Sequence, residues 1–131
     1  MSNQFRRSIF LQGVSHRNPI PNASVVRGVL MSSVINGVDS STGATPATLE
    51  EQCELMFHNA RHIVEAAGGN IGDIVKFTIW LKNPDDRVAL NAEWEKMFPD
   101  PLNRPARHAH QGHMRAELLI QCDIVAILDA D

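Results

Sequence analysis

No basic run occurs anywhere in this sequence. Its 131 residues carry 12 Lys and Arg against 15 Asp and Glu, a formal net charge of −3, so the electrostatic footprint of a nucleic-acid binder is missing. Long apolar runs are missing as well. Between Met1 and Phe10 the arginines Arg6 and Arg7 are followed only by Ser8-Ile9-Phe10-Leu11, far short of a signal h-region or a membrane span. The expectation is a protein that is neither exported nor membrane-bound. Cysteine is scarce: Cys53 and Cys122 fall in a predicted helix and a predicted strand with no metal-ligand spacing. That predicts two buried free thiols and fits a reducing cytoplasm. Neither cysteine has a histidine or acid partner in sequence, and no serine sits in an elbow motif, so a covalent nucleophile is not indicated. The length predicts a single domain over residues 1–131, large enough to bury a core of its own.

The apolar residues that are present fall into regular patterns. Ile9-Phe10-Leu11 predicts a strand within Arg7–Val14, and Pro19 and Pro21 mark the loop behind it. Ala23–Val26 and Val29–Ile35 are apolar runs divided by Arg27-Gly28, the mark of a tight hairpin, with Ser32 and Ser33 inside its second strand. Turns are predicted at Asn36-Gly37 and again over residues 39–43. A helix opens at Thr48 with a capping box to Glu51 and carries the stripe Cys53, Met56, Phe57, Ala60, Ile63, Val64 and Ala67 up to Gly68-Gly69. From Asp73 to Lys82 the pattern alternates, with Val75, Phe77, Ile79 and Leu81 on one side. Asp85 or Asp86 is placed to cap a second helix, whose stripe is Leu90, Trp94, Met97 and Phe98 before Pro99 and Pro101.

The last predicted strand, Glu117–Leu128, is largely apolar on both faces. Strand, hairpin, helix, strand, helix, strand, strand contains two β-α-β halves and predicts an α+β domain, one sheet with two helices on one face. Two helices cover only one side of such a sheet, so its other face is expected to pack on further copies of the chain.

The segment Asn103-Arg104-Pro105-Ala106-Arg107-His108-Ala109-His110 concentrates the chemistry. Pro105 favours an extended backbone, which puts Arg107, Ala109 and Gln111 on one face and Ala106, His108 and His110 on the other. A long cation beside the small Ala109 makes a floor for an anion, and a guanidinium holds both oxygens of a carboxylate. A structural ion pair with a nearby Asp or Glu is the competing reading. His108, His110 and His113 have spacing that invites zinc, but no further ligand clusters with them, so no metal is expected and packing histidines are the reading. Gly68-Gly69-Asn70-Ile71-Gly72 closes a helix instead of opening one, so it is a turn and not a phosphate loop.

From about Ala23 to Ile127 the chain resembles the Rid (YjgF-like) family of reactive-intermediate deaminases. The resemblance is carried by Ser32-Ser33-Val34-Ile35 with Thr42-Gly43, by Ile63-Val64-Glu65-Ala66-Ala67-Gly68, by Gly72-Asp73-Ile74-Val75-Lys76-Phe77-Thr78-Ile79, and by Leu90-Asn91-Ala92-Glu93-Trp94 with Arg104-Pro105-Ala106-Arg107. It implies a chorismate-mutase-like β-α-β-β-α-β fold, a homotrimer with sites between subunits, and hydrolysis of small enamine or imine acids to 2-keto acids and ammonia without metal or cofactor. Carried over by residue, Arg107 holds the substrate carboxylate, Ser32 or Ser33 is the pocket serine, Asn91 opens the second helix, and Ala109 stands where the family has cysteine. Gln121 takes the place of the water-positioning glutamate, and the pocket tyrosine has no counterpart because the sequence has none. An amide can orient water but cannot take its proton; Asp123, on the same face, is placed to substitute. These departures leave two alternatives open: a deaminase of an amino dienoic acid (2-aminomuconate-like) in aromatic catabolism, and a non-catalytic trimer binding keto or amino acids. The resemblance sometimes brings ribonuclease activity with it, to which the net acidic charge lends no support.

Overall fold

A computed structural model describes residues 5–129; residues 1–4, where the segment read above for a leader begins, and residues 130–131 lie outside it. The elements run β1 (Arg6–Ile9), β2 (Ala23–Val26), β3 (Val29–Ser32), β4 (Ile35–Asn36), α1 (Leu49–Ala66), β5 (Ile74–Leu81), α2 (Val88–Met97), β6 (Ala106–Gln111) and β7 (Ile120–Ile127). They form one mixed sheet ordered β1-β2-β3-β7-β5-β6, with β4 also pairing β7. Among the described residues only β5 and β6 pair in parallel, and α2 supplies the crossover that a parallel pair requires. A single strand separates the two helices among the described residues, and four precede α1, so the order is not the β-α-β-β-α-β implied by the resemblance. The hairpin and the break after Ser32 divide the N-terminal sheet region into several short strands.

Both helices lie on one face. The alternation in β7 buries Ile120, Cys122, Ile124 and Ala126 beneath α1, and Phe77, Ile79 and Leu81 of β5 join them. Phe77 packs its ring 5.3 Å from Phe57 of α1 and 5.5 Å from Trp94 of α2, so one β5 residue couples both helices to the sheet. Trp94 packs in turn 5.0 Å from Phe98. Edge-to-face and tilted pairs of this kind add to the burial of large apolar area.

Several local expectations hold for their stated reasons. The β2–β3 turn has Arg27 at φ 52° and Gly28 at φ 80°, two successive left-handed residues whose twist suits a two-residue hairpin. Thr48 caps α1 by accepting the Glu51 N–H at 3.2 Å. Glu51 reaches back to the Thr48 hydroxyl at 2.9 Å, in place of the backbone N–H of a capping box. At the far end Gly68 (φ 94°) donates to the Glu65 carbonyl and Gly69 to that of Val64, the paired closure that a left-handed glycine permits.

Other expectations need correction. The second hairpin strand stops at Ser32; Ser33 and Val34 leave the sheet before β4 rejoins it, so Ser33 is not in a strand. Asn36 does not turn but pairs with Gln121. Beyond it Gly37 has no room for a side chain, since a Cβ there would collide with the Gln52 carbonyl of α1. In β5 a register shift between Ile74 and Lys76 changes the phase of alternation: Ile74 is buried and Val75 is 48% exposed. The N-cap of α2 is Arg87, with no side-chain cap. Asp85 and Asp86 stand in the preceding turn, where the Asn83 side chain accepts the Asp85 N–H at 3.1 Å. β7 starts three residues later than the apolar pattern suggests, at Ile120.

Candidate active site

Arg107 pairs with Phe77 across β5–β6 and therefore points to the helix side, at the edge of the sheet. Two residues one turn apart on α2 receive it. Asn91 Oδ1 accepts from Nη2 at 2.9 Å, and the guanidinium carbon lies 5.0 Å from the centre of the Trp94 ring, within cation–π range. The other terminal nitrogen, Nη1, is buried without a partner. Among the described residues the ion pairs are Lys96–Glu93 and Arg115–Glu117, so no carboxylate neutralises Arg107 and the competing ion-pair reading fails. Burial, and then the nearby Arg87, pull its pKa below the ordinary arginine value. An arginine begins so far above neutrality that it remains a cation. Ala109 follows on the same face opposite Ile79, partly buried against the core. Arg104 has a different use: its Nε donates to the Phe98 carbonyl at 2.8 Å, closing the end of α2.

Gln121 lies on the other face of the sheet. Its register partners are Trp80 and Asn36, between the inward Ile120 and Cys122. Its Nε2 donates to Asn36 Oδ1 at 3.0 Å, which leaves its own carbonyl oxygen to accept from another group. The Asn36 backbone is held from behind, because Asn59 of α1 donates to the carbonyls of Asn36 and Val38, each at 2.9 Å. Gln52, fully buried, donates to the carbonyls of Pro46 and Glu117 and accepts from Leu119 N–H at 2.9 Å. Three loops are thus tied to one helix. Gln121 opens onto a cavity of about 680 Å³ formed with the 13–18 loop and the segment around His113–Leu118, of a size that holds a small ligand.

The two serines do not line that cavity. Ser32 Oγ accepts the Ile124 N–H at 2.9 Å where β3 parts from β7, and Ser33 Oγ donates to the Pro21 carbonyl at 2.8 Å. Asp123 faces the same side as Gln121, paired with Thr78. His108 and His110 lie on the open face with ring centres 3.8 Å apart and tilted to each other, and His110 stacks 4.5 Å from the Trp80 ring, whereas His113 borders the cavity. Among the described residues no three His, Cys, Asp or Glu side chains are placed to hold a metal ion. Both cysteines are free and buried; burial pushes the Cys53 thiol up to about 12 and raises Cys122 as well, so neither is a ready thiolate.

Sequence reasoning missed Asn36, Gln52, Asn59 and the cradle role of Trp94. A signal existed for two of them: Gln52 and Asn59 are seven residues apart and lie on the buried stripe of α1, where an unbonded amide is costly.

The family model described as Endoribonuclease L-PSP matches residues 17–128. A 2-iminobutanoate/2-iminopropanoate deaminase of Escherichia coli (strain K12) is 40% identical over 92 residues, covering 69% of this chain and 72% of that protein. The protein of the same name from Salmonella typhimurium is 38% identical over 109 residues, covering 78% and 85%. The crystal structure of the E. coli YjgF gene product superposes with a TM-score of 0.84 at 27% identity, covering 92% of this chain and 98% of that one. The chain belongs to the Rid (YjgF-like) family. Two of its relatives are thus named as imine deaminases, and the fold is that of the YjgF product: two helices on a mixed sheet. No helix among the described residues is long and apolar enough to cross a membrane.

Proposed function

We propose that the protein is a hydrolytic deaminase of small imine and enamine acids, working as a homotrimer with its sites in clefts between copies. The observation that carries this is the state of Arg107: one arm of its fork fixed by Asn91, its plane on Trp94, and Nη1 buried with no acceptor. A buried donor without a partner is costly unless a ligand supplies one, and a carboxylate fits the fork bidentately. The names of the relatives point the same way.

The chemistry needs little beyond positioning. Arg107 holds the carboxylate and sets the C=N carbon in place. Water, oriented by a hydrogen bond to the Gln121 carbonyl oxygen, forms a C–O bond to that carbon while the imine nitrogen takes up a proton. The tetrahedral intermediate then breaks its C–N bond, releasing ammonia and leaving a 2-keto acid. Gln121 takes no proton itself; the substrate nitrogen is the base for the water. No metal or cofactor is required, because the imine carbon is already electrophilic.

Association of copies is supported by the open face of the sheet, where Val29, Met31 and Ile127 are exposed together, a patch unlike the mixed surface of a monomer. A non-catalytic binder of keto acids is the second reading, favoured by the amide at position 121. Imines generated in the cuvette by an amino-acid oxidase, with and without this protein, distinguish the two. Accelerated loss of imine with matching ammonia release is expected; keto-acid binding without any acceleration would leave only the binder. Sedimentation should give a trimer, and a monomer at micromolar concentration would defeat the cleft.

A further inference from the structure

The cavity beside Gln121 is charged in a way that a simple two- or three-carbon monocarboxylate does not use. Arg17 and Arg115 both border it, together with His16, whose Nε2 is buried without a partner. The single acid on its wall, Glu117, stands 3.9 Å from Arg115 and offsets that charge. Arg17 has no acidic side chain within ion-pair distance among the described residues, so it is the surplus cation of the cavity. The loop that carries it is anchored: Asn22, 4% exposed, donates to the Val14 carbonyl and accepts the Leu11 N–H, both at 2.9 Å. Gly13, at φ 83°, is packed so closely on Ser40 that a side chain there would clash with the backbone.

We infer that the basic end of this cavity binds a second carboxylate, so that the preferred substrates are dicarboxylic imines or enamines. The inference rests on the deaminase reading. Arg107 from a neighbouring copy takes the carboxylate next to the C=N carbon, Gln121 holds the water, and Arg17 with His16 takes the distal carboxylate. The volume of about 680 Å³ accommodates a chain of five or six carbons. It also distinguishes the two anion sites chemically. The Arg107 fork is half-buried and shaped for bidentate binding, whereas Arg17 is exposed and acts mainly as a charge, so the distal group contributes selectivity more than absolute affinity.

The test uses matched five-carbon keto acids as probes, 2-oxoglutarate and 2-oxopentanoate, titrated calorimetrically against the intact protein. 2-Oxoglutarate is expected to bind about tenfold more tightly, and Arg17→Gln should erase most of that ratio. The imines made from glutamate and from 2-aminopentanoate should show the same order in kcat/KM. Equal affinities, or a preference that survives Arg17→Gln together with Arg115→Gln, would overturn the inference. The two readings fail separately. Equal binding of both acids that is lost in Arg107→Ala removes the distal site and keeps the clamp. Arg17-dependent binding of 2-oxoglutarate that ignores Arg107→Ala keeps an anion site in the cavity but removes the substrate assignment.

Discussion

The surroundings of Arg107 and of Gln121 are built in opposite ways. Arg107 is held by residues close to it in sequence: Asn91 and Trp94 are one turn apart on α2, and α2 is the crossover that delivers the chain to β6. Gln121 is surrounded by segments from across the chain, among them Asn36 of β4 and the 13–18 and 113–118 stretches, braced by Asn59 and Gln52 of α1. They also occupy opposite faces of one sheet, Arg107 opposite Phe77 and Gln121 opposite Trp80. A cation on the covered face and an amide on the open face cannot close on one small ligand within a single copy. If both serve the same reaction, they come from different copies, and the uncovered sheet face becomes part of the mechanism.

The largest effect is expected at the local half. On the proposed reading Arg107→Ala removes a charge-assisted bidentate contact from a half-buried site, an expected loss of about 3 kcal/mol or roughly a hundredfold in kcat/KM for imine hydrolysis. Arg107→Lys restores charge without the planar fork and should recover only part of it. If Arg107→Ala left hydrolysis and keto-acid binding intact in a persisting trimer, Arg107 would be structural.

Joining the two halves gives the next effect. Arg107→Ala and Gln121→Leu, each impaired alone, should recover activity when unfolded and refolded together. Random mixing places an intact Arg107 against an intact Gln121 in about a quarter of the clefts. Recovery no greater than the average of the two separate variants would show that both residues act within one copy, contrary to the face assignment.

The difference between the two regions is also the difference between what could and could not be read from the sequence. Strand alternation around Pro105 places Arg107 on the same face as Ala109, and the structure agrees. The α1 stripe, its Thr48 cap and its glycine closure follow from spacing alone. The Arg107 cradle was half legible: Asn91 entered through the resemblance, while Trp94 looked like an ordinary core residue because its other side is indeed core. Around Gln121 little was legible. The Asn36–Gln121 contact spans 85 residues, and no local pattern reports a pairing of that range. The same holds for Val75, where a one-residue irregularity reverses the alternation, and for Ser33, which follows the point where the Ser32 hydroxyl, not a backbone carbonyl, takes the Ile124 N–H and β3 parts from β7.

A smaller effect is expected from Gln121→Glu. The Gln121 amide now donates to Asn36 Oδ1; a carboxylate there would meet an acceptor, so the Asn36 amide must rotate to present its NH₂ group. That rotation leaves the backbone bonds from Asn59 untouched, since those use the Asn36 carbonyl. The variant should fold normally and hold or raise the rate of imine hydrolysis, because on the proposed mechanism a base is added where the water would be positioned. A drop of more than about tenfold, with the melting temperature unchanged, would show that the amide is needed as an amide.

No change at all is expected from chelation, and this bears on the open face that the Gln121 half shares. His108 and His110 are exposed or half-buried, with ring centres 3.8 Å apart, and His110 is also stacked on Trp80. His113 has turned away to the cavity wall. A stable zinc site needs four ligands at bonding distance, or three and water, and the two imidazoles have no such company among the described residues. Incubation with a strong chelator should therefore leave both imine hydrolysis and the melting temperature where they were. A fall in either, reversed by added zinc, would make the histidine pair a metal site and turn the open face from a packing surface into a second centre of chemistry.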